Sequence, residues 1–198
     1  MPRLFTGIEI PEATRRAISQ LRAGVPGARW IDPENYHLTL RFVGDVDRRM
    51  AQEIAEALDR VERPAFDISF GSVGAFGGNR PHALWAGVRA SPELMDLQAE
   101  QERLMQRIGL PAEGRKYQPH VTIARLRGAS LPDVARYLDT YGDFRAEPLT
   151  VGRFVLFSAR QFEGGGPYLV EEAFPLLDYE ALYDEEDEET EEMQWPND

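Results

Sequence analysis

The sequence predicts a duplicated fold of strands and helices, two copies of one unit meeting at a pseudo-two-fold axis. Three observations carry that reading. His37-Leu38-Thr39-Leu40 and His120-Val121-Thr122-Ile123 share one pattern: His, apolar, Thr, apolar. Each copy sits in the same order of elements, strand, helix, histidine strand, helix, strand. The histidines are 83 positions apart (37 against 120), and the first strands of the halves are offset by about as much. The halves run over residues 1–75 and 80–177, and together they form one domain, 1–177.

Each element has a local reason. Leu4–Ile10 is apolar and ends at Pro11, so it reads as a strand. Pro11 also suits the first turn of a helix with Glu12 at its positive end, and Ala17, Ile18 and Leu21 give that helix an apolar stripe up to Gly24. Arg29-Trp30 leads into the first histidine strand, Tyr36–Val43. Asp45 or Asp47 can cap a helix reaching about Val61, with Ile54, Ala57, Leu58 and Val61 on one face. Phe66, Ile68 and Phe70 alternate with polar residues, the mark of a half-buried strand. A loop over 76–81 precedes the strand Ala83–Val88.

The second half repeats the logic. Ser91-Pro92-Glu93 reads as an N-cap, a first-turn proline and a first-turn acid. Leu94, Leu97, Gln101, Leu104 and Ile108 carry that helix to Gly109. His120–Leu126 is the second histidine strand. Leu131–Tyr141 is a helix with Val134, Ala135 and Leu138 inward. Leu149–Ser158 and Tyr168–Phe174 are the last strands, separated by Gly164-Gly165-Gly166, and order is expected to end near Leu177–Tyr183.

Composition narrows the possibilities. With no cysteine among 198 residues, disulfides, thiolate metal sites and a cysteine nucleophile are excluded. Met1-Pro2-Arg3-Leu4-Phe5 lacks the apolar core of a signal peptide, and no apolar run approaches membrane-spanning length. The expectation is a cytoplasmic protein with no membrane partner, and the absence of strong apolar surface runs favours a monomer. The net charge of −12 is misleading. Eleven acidic residues and no Lys or Arg fall between Asp178 and Asp198, which leaves a body near −1. The tail, 178–198, is expected to be disordered and solubilising.

The chemistry follows from the pattern. In a strand, residues i and i+2 share a face, so His37 and Thr39 point one way while Leu38 and Leu40 pack the other. Each His and Thr lie about 7 Å apart along the strand. Side by side, two such strands bring two imidazoles and two hydroxyls to one space that suits a phosphate. One imidazole can act as a base and the other as an acid, and Thr39 and Thr122 can donate to nonbridging oxygens. Arg125 is a candidate phosphate or substrate contact, although simple alternation points it away from His120 unless the strand bulges. No carboxylate cluster accompanies the histidines, which argues against a metal. A single His-x-Thr is a weak signal, whereas two at equivalent positions of a repeat are hard to dismiss. His82 lacks a paired threonine and reads as structural or peripheral. Phe42, Tyr117, Trp30 and Trp85 are candidates to stack on a base, with the core as the commoner fate of each. Arg41 and Lys116 could meet a phosphate backbone, although charged residues near strand ends are usually just solvated.

These motifs resemble those of the two-histidine (2H) phosphoesterases, and among them the bacterial RNA 2′,3′-cyclic phosphodiesterases, the 2′-5′ RNA ligase family. The resemblance covers Arg3 to Leu177 through RLFTGIEIP, RWIDPENYHLTLRFVGDV, RPHALWAGV, GRKYQPHVTIARLRG and FVLFSARQFEGGGPYLVEEAFPL. It implies a bilobed α+β fold with antiparallel sheets around a central cleft and helices outside. It also implies cofactor-free, metal-independent opening of a 2′,3′-cyclic phosphate to a 2′-phosphate, with reversible 2′-5′ ligation of RNA ends as an associated activity. By the same resemblance His37 and His120 are the acid–base pair, and Thr39 and Thr122 clamp the phosphate. The partners are then RNA with 2′,3′-cyclic phosphate ends, or cyclic nucleotides. The alternatives are a 2H enzyme on another small cyclic phosphate or a 2′-5′ oligonucleotide, and a non-catalytic RNA-end-binding module.

Overall fold

The computed structural model describes residues 3–159 and 166–178. The expectation for the acidic tail therefore lies outside the described residues, apart from Asp178, as do Gly164 and Gly165. In chain order the elements are β1 (Arg3–Glu9), α1 (Glu12–Ser19), β2 (Ala28–Trp30), a 3₁₀ turn (Pro33–Asn35), β3 (His37–Asp45), α2 (Arg48–Leu58) and β4 (Phe66–Phe76). Then follow β5 (Ala83–Val88), α3 (Pro92–Arg107), β6 (His120–Leu126), α4 (Leu131–Tyr141), β7 (Ala146–Val151), β8 (Arg153–Ala159) and β9 (Tyr168–Pro175). The caps are those the side chains allow. Asp47, Ser91 and Ser130 each accept a backbone N–H three residues on, at the starts of α2, α3 and α4.

The architecture is α+β. Among the described residues nine strands pair antiparallel in one sheet, ordered β7-β4-β5-β6-β3-β1-β8-β9, with β2 on β6. The histidine strands β3 and β6 are central neighbours. β4 belongs to the first half of the chain yet pairs with β5 of the second, while β8 of the second half pairs with β1 of the first. Each wing of the sheet thus holds strands from both halves.

Val151 closes β7 at one edge and Arg153 opens β8 near the other, with Gly152 alone between them. Consecutive Cα atoms are about 3.8 Å apart, so the sheet must curl until its edges approach. Leu177 fastens the closure: its N–H donates to Arg63 O at 2.8 Å, and its carbonyl accepts from Ala65 N–H at 2.9 Å. Leu149–Ser158 is accordingly two strands rather than the single one expected, because a continuous strand could not serve both edges.

The helices cover the face opposite the histidines: α3 lies on β3 and β4, α1 on β7, α4 on β4, and α2 on α3. Leu38, Leu40, Val121 and Ile123 enter this main core, all nearly inaccessible to solvent. Two helical details differ from expectation. α1 stops at Ser19, although Ile18 and Leu21 are buried as its stripe predicts. In α4 the inward residues are Val134 and Tyr137, not Ala135, because the Tyr137 hydroxyl finds a buried partner in Leu21 O at 2.8 Å. Gly74 is required by packing: a Cβ there would meet the Trp85 ring at 2.1 Å.

Candidate active site

The central joint of the sheet is a single ladder pair, Leu38 opposite Val121. Carrying that antiparallel register one residue either way sets His37 across from Thr122 and Thr39 across from His120. Strand rise and strand spacing make these four side chains the corners of a rectangle on one face, roughly 7 Å by 5 Å. The histidines occupy one diagonal and the threonines the other. Neither threonine hydroxyl has a protein partner among the described residues, so both remain available to a ligand.

Both imidazoles are fixed in the same way. His37 Nδ1 lies 2.8 Å from Asn35 O, and His120 Nδ1 lies 2.6 Å from Gln118 O. A carbonyl only accepts, so Nδ1 carries a proton in each ring and Nε2 is left to face the cleft. Aromatic walls hold the rings. His37 sits among Phe5, Phe157 and Tyr168, with centroids at 4.9, 5.6 and 4.8 Å. His120 sits against Phe76 at 4.8 Å and Trp85 at 6.3 Å.

These walls set the electrostatics. Burial pushes His37 down to about 4; the Asn35 carbonyl opposes this, while His120 and Arg125 reinforce it. His120 is lowered too, by burial and with help from Arg125, while its hydrogen bond to the Gln118 carbonyl opposes the shift. Both are therefore neutral in the free protein near neutral pH. A histidine that ordinarily titrates near 6.5 but is held at about 4 when folded binds fewer protons folded than unfolded between those values. Stability conferred by the neutral ring is thus complete above pH 6.5 and falls as pH drops through 4. Wild type should lose more stability between these limits than His37→Gln, read as the denaturant midpoint at each pH. Equal losses would show that His37 does not titrate in that window.

Arg125 lies close enough to act on both histidines, and a bulge puts it there. On β6, Leu84 pairs with Ala124 and Trp85 with Thr122, so Ile123 is an extra residue. Ile123 and Ala124 are both buried, parity flips, and Arg125 returns to the face of His120 and Thr122. β3 repeats the device. Thr6 pairs with Arg41 and Gly7 with Thr39, leaving Leu40 extra. Leu40 and Arg41 are both buried, and Phe42 emerges beside Thr39 and His37 with 52% of its surface exposed. Phe42 and Arg125 are thus equivalent positions, each five residues after its histidine.

The other candidates scatter. Arg41 is not in the cleft: it is 6% exposed and bonded to Glu102, Phe42 O and Pro111 O. Tyr117 is pinned by its hydroxyl to Thr39 O at 3.1 Å. Trp30 packs on Tyr137, centroids 6.1 Å apart. Trp85 walls His120. His82 is exposed and stacks on Phe76, one ring removed from His120. Lys116 is exposed on the loop leading to His120. Among the described residues no three His, Cys, Asp or Glu side chains gather as a metal site requires, and no helix is long and apolar enough to cross a membrane.

A curled antiparallel sheet with paired His-x-Thr strands at its centre and helices behind it has the form of a two-histidine phosphoesterase. The chain belongs to the LigT-like phosphoesterase family, whose model matches residues 8–85 and 88–168. An RNA 2′,3′-cyclic phosphodiesterase of Thermotoga maritima is 33% identical over 176 residues, 85% of this chain and 92% of that protein. One of Aeropyrum pernix is 38% identical over 123 residues, 61% of this chain and 69% of its own. The crystal structure of E. coli LigT complexed with 3′-AMP superposes with a TM-score of 0.73 at 25% identity, over 90% of this chain and all of that one.

Proposed function

We propose that the protein hydrolyses the 2′,3′-cyclic phosphate of RNA ends or nucleotides to a 2′-phosphate, without a metal. The observation that carries this is the rectangle: two Nε2 atoms on one diagonal and two free hydroxyls on the other surround a space fit for one phosphate. His120 Nε2 takes a proton from water as its oxygen attacks phosphorus opposite O3′. The P–O3′ bond breaks, and His37 Nε2–H donates a proton to the leaving O3′. Thr39 and Thr122 donate to the nonbridging oxygens as their charge grows, and the Arg125 guanidinium adds positive charge nearby. Phe42 offers an exposed ring for the base. Because burial holds His37 neutral in the free protein, the anionic phosphodiester supplies the charge that lets it carry a proton. If a 5′-hydroxyl takes the place of water, the same steps make a 2′-5′ bond. The relatives named as RNA 2′,3′-cyclic phosphodiesterases support the substrate class.

The test is turnover of a short RNA ending in a 2′,3′-cyclic phosphate, with EDTA present and the product end identified. The expected result is a 2′-phosphate and a bell-shaped pH–rate profile, since one imidazole must be neutral and the other charged. A 3′-phosphate product, loss of activity in EDTA, or a single-limbed profile would each refute part of the mechanism. Tight RNA binding with no turnover would favour an end-binding module.

A further inference from the structure

The cleft does not stop at the rectangle. A groove of about 670 Å³ adjoins His37, bounded by the 3₁₀ turn, the start of α1, Gly152 and the outer strands. From His37 it runs opposite to Phe42: its β3 side is Glu34, Asn35 and Tyr36, whereas Thr39 and Phe42 lie the other way along the strand. On the sheet, Glu9 of β1 faces His37, and Arg153 of β8 bonds Glu9 at 2.6 Å. These three side chains make a row on adjacent strands, which puts the Arg153 backbone about 10 Å from that of His37. Glu9 neutralises Arg153. Arg15 of α1 lines the same groove, half-buried, and no ion pair or side-chain hydrogen bond of its guanidinium is found among the described residues. Among the described residues Arg15 is therefore the groove's cation left without an anion, placed to meet a single phosphodiester, while Glu34, exposed, is its acid without a cation.

We propose that this groove holds the nucleotide preceding the cyclic-phosphate terminus, with Arg15 on its phosphodiester. The proposal rests on the phosphodiesterase reading above. An RNA ending in a cyclic phosphate continues in one direction only, from the terminal ribose. That ribose carries O3′, which the mechanism places at His37, and the terminal base lies toward Phe42. The chain must leave past His37 on its other side, where the groove begins. Tyr168 and Phe157 give the groove aromatic surface suited to a sugar or base, and Arg15 lines the same groove from α1.

The substrates that test this are 2′,3′-cyclic AMP and a trinucleotide ending in a 2′,3′-cyclic phosphate. Wild type is compared with Arg15→Ala and Arg15→Glu. Losing one charge-assisted phosphate contact should raise KM for the trinucleotide about tenfold in Arg15→Ala, and further in Arg15→Glu. The salt dependence of the trinucleotide KM should become shallower by about one phosphate contact. Turnover of cyclic AMP should be unchanged, which also reports that the variants are folded. Equal effects on both substrates, or none on either, would overturn the proposal. So would an effect confined to ligation of an added 5′-hydroxyl strand, because the groove would then hold the acceptor. If wild type opened neither cyclic phosphate, the phosphodiesterase reading would fail and this subsite with it; turnover of both by wild type isolates the question to the groove.

Discussion

Replacing His37 or His120 with alanine should lower kcat on a 2′,3′-cyclic phosphate by about 10²–10⁴-fold, the range lost with a positioned acid or base. The two effects do not multiply. In the proposed mechanism base and acid serve one displacement, so removing either leaves a step the other cannot complete, and the double variant should be close to the worse single one. KM should change far less than kcat, since Thr39, Thr122, Phe42 and Arg125, the proposed contacts to ground-state phosphate and base, remain on the cleft face. Glutamine variants provide the structural control. The carbonyls of Asn35 and Gln118, at 2.8 and 2.6 Å, can still take a hydrogen bond from a glutamine amide, while proton transfer is lost. A single variant retaining more than about a tenth of wild-type kcat would remove that histidine from the mechanism.

The histidine strands were legible in the sequence because a two-residue period survives short stretches of strand, and His37, Thr39, His120 and Thr122 all precede the points where the period breaks. Arg125 and Phe42 lie after those points. Two adjacent apolar residues, Ile123-Ala124, signal the break in β6, and once it is seen Arg125 returns to the site. In β3 the signal is masked, because the second buried residue is Arg41 and a charged side chain ordinarily reads as exposed. The exchange of β4 and β8 between the wings is not legible either. Nothing local in Phe66–Phe76 distinguishes pairing with β5 from pairing with β1, whereas Gly152 does mark where β7 gives way to β8.

Arg41→Ala should be among the most destabilising substitutions in the chain. The guanidinium is buried under the β3 bulge, paired with Glu102 of α3, and it donates to the carbonyls of Phe42 and Pro111. Glu102 also accepts from the Glu113 N–H at 3.0 Å and the Gln106 amide at 2.6 Å. Burial alone would raise its carboxyl, but Gln106, the Glu113 N–H and Arg41 outweigh that and hold it low. Truncating Arg41 therefore leaves a partly buried carboxylate and two carbonyls without their cation, at a cost of about 3 kcal/mol. In a chain of this size that is a fall in Tm of roughly 6–12 °C. The double variant Arg41→Met, Glu102→Met should lose distinctly less, because no uncompensated charge remains. The functional consequence is local. Arg41 ties the carbonyl of Phe42 to the loop that begins at Pro111 and leads to Tyr117, whose hydroxyl bonds Thr39 O. Loosening that tie should raise KM for nucleotide while the histidines keep their places. An Arg41→Ala protein with wild-type Tm, a raised KM for RNA and a KM that rises less steeply with added salt than that of wild type would instead mean that the arginine meets RNA directly, as its charge alone suggests.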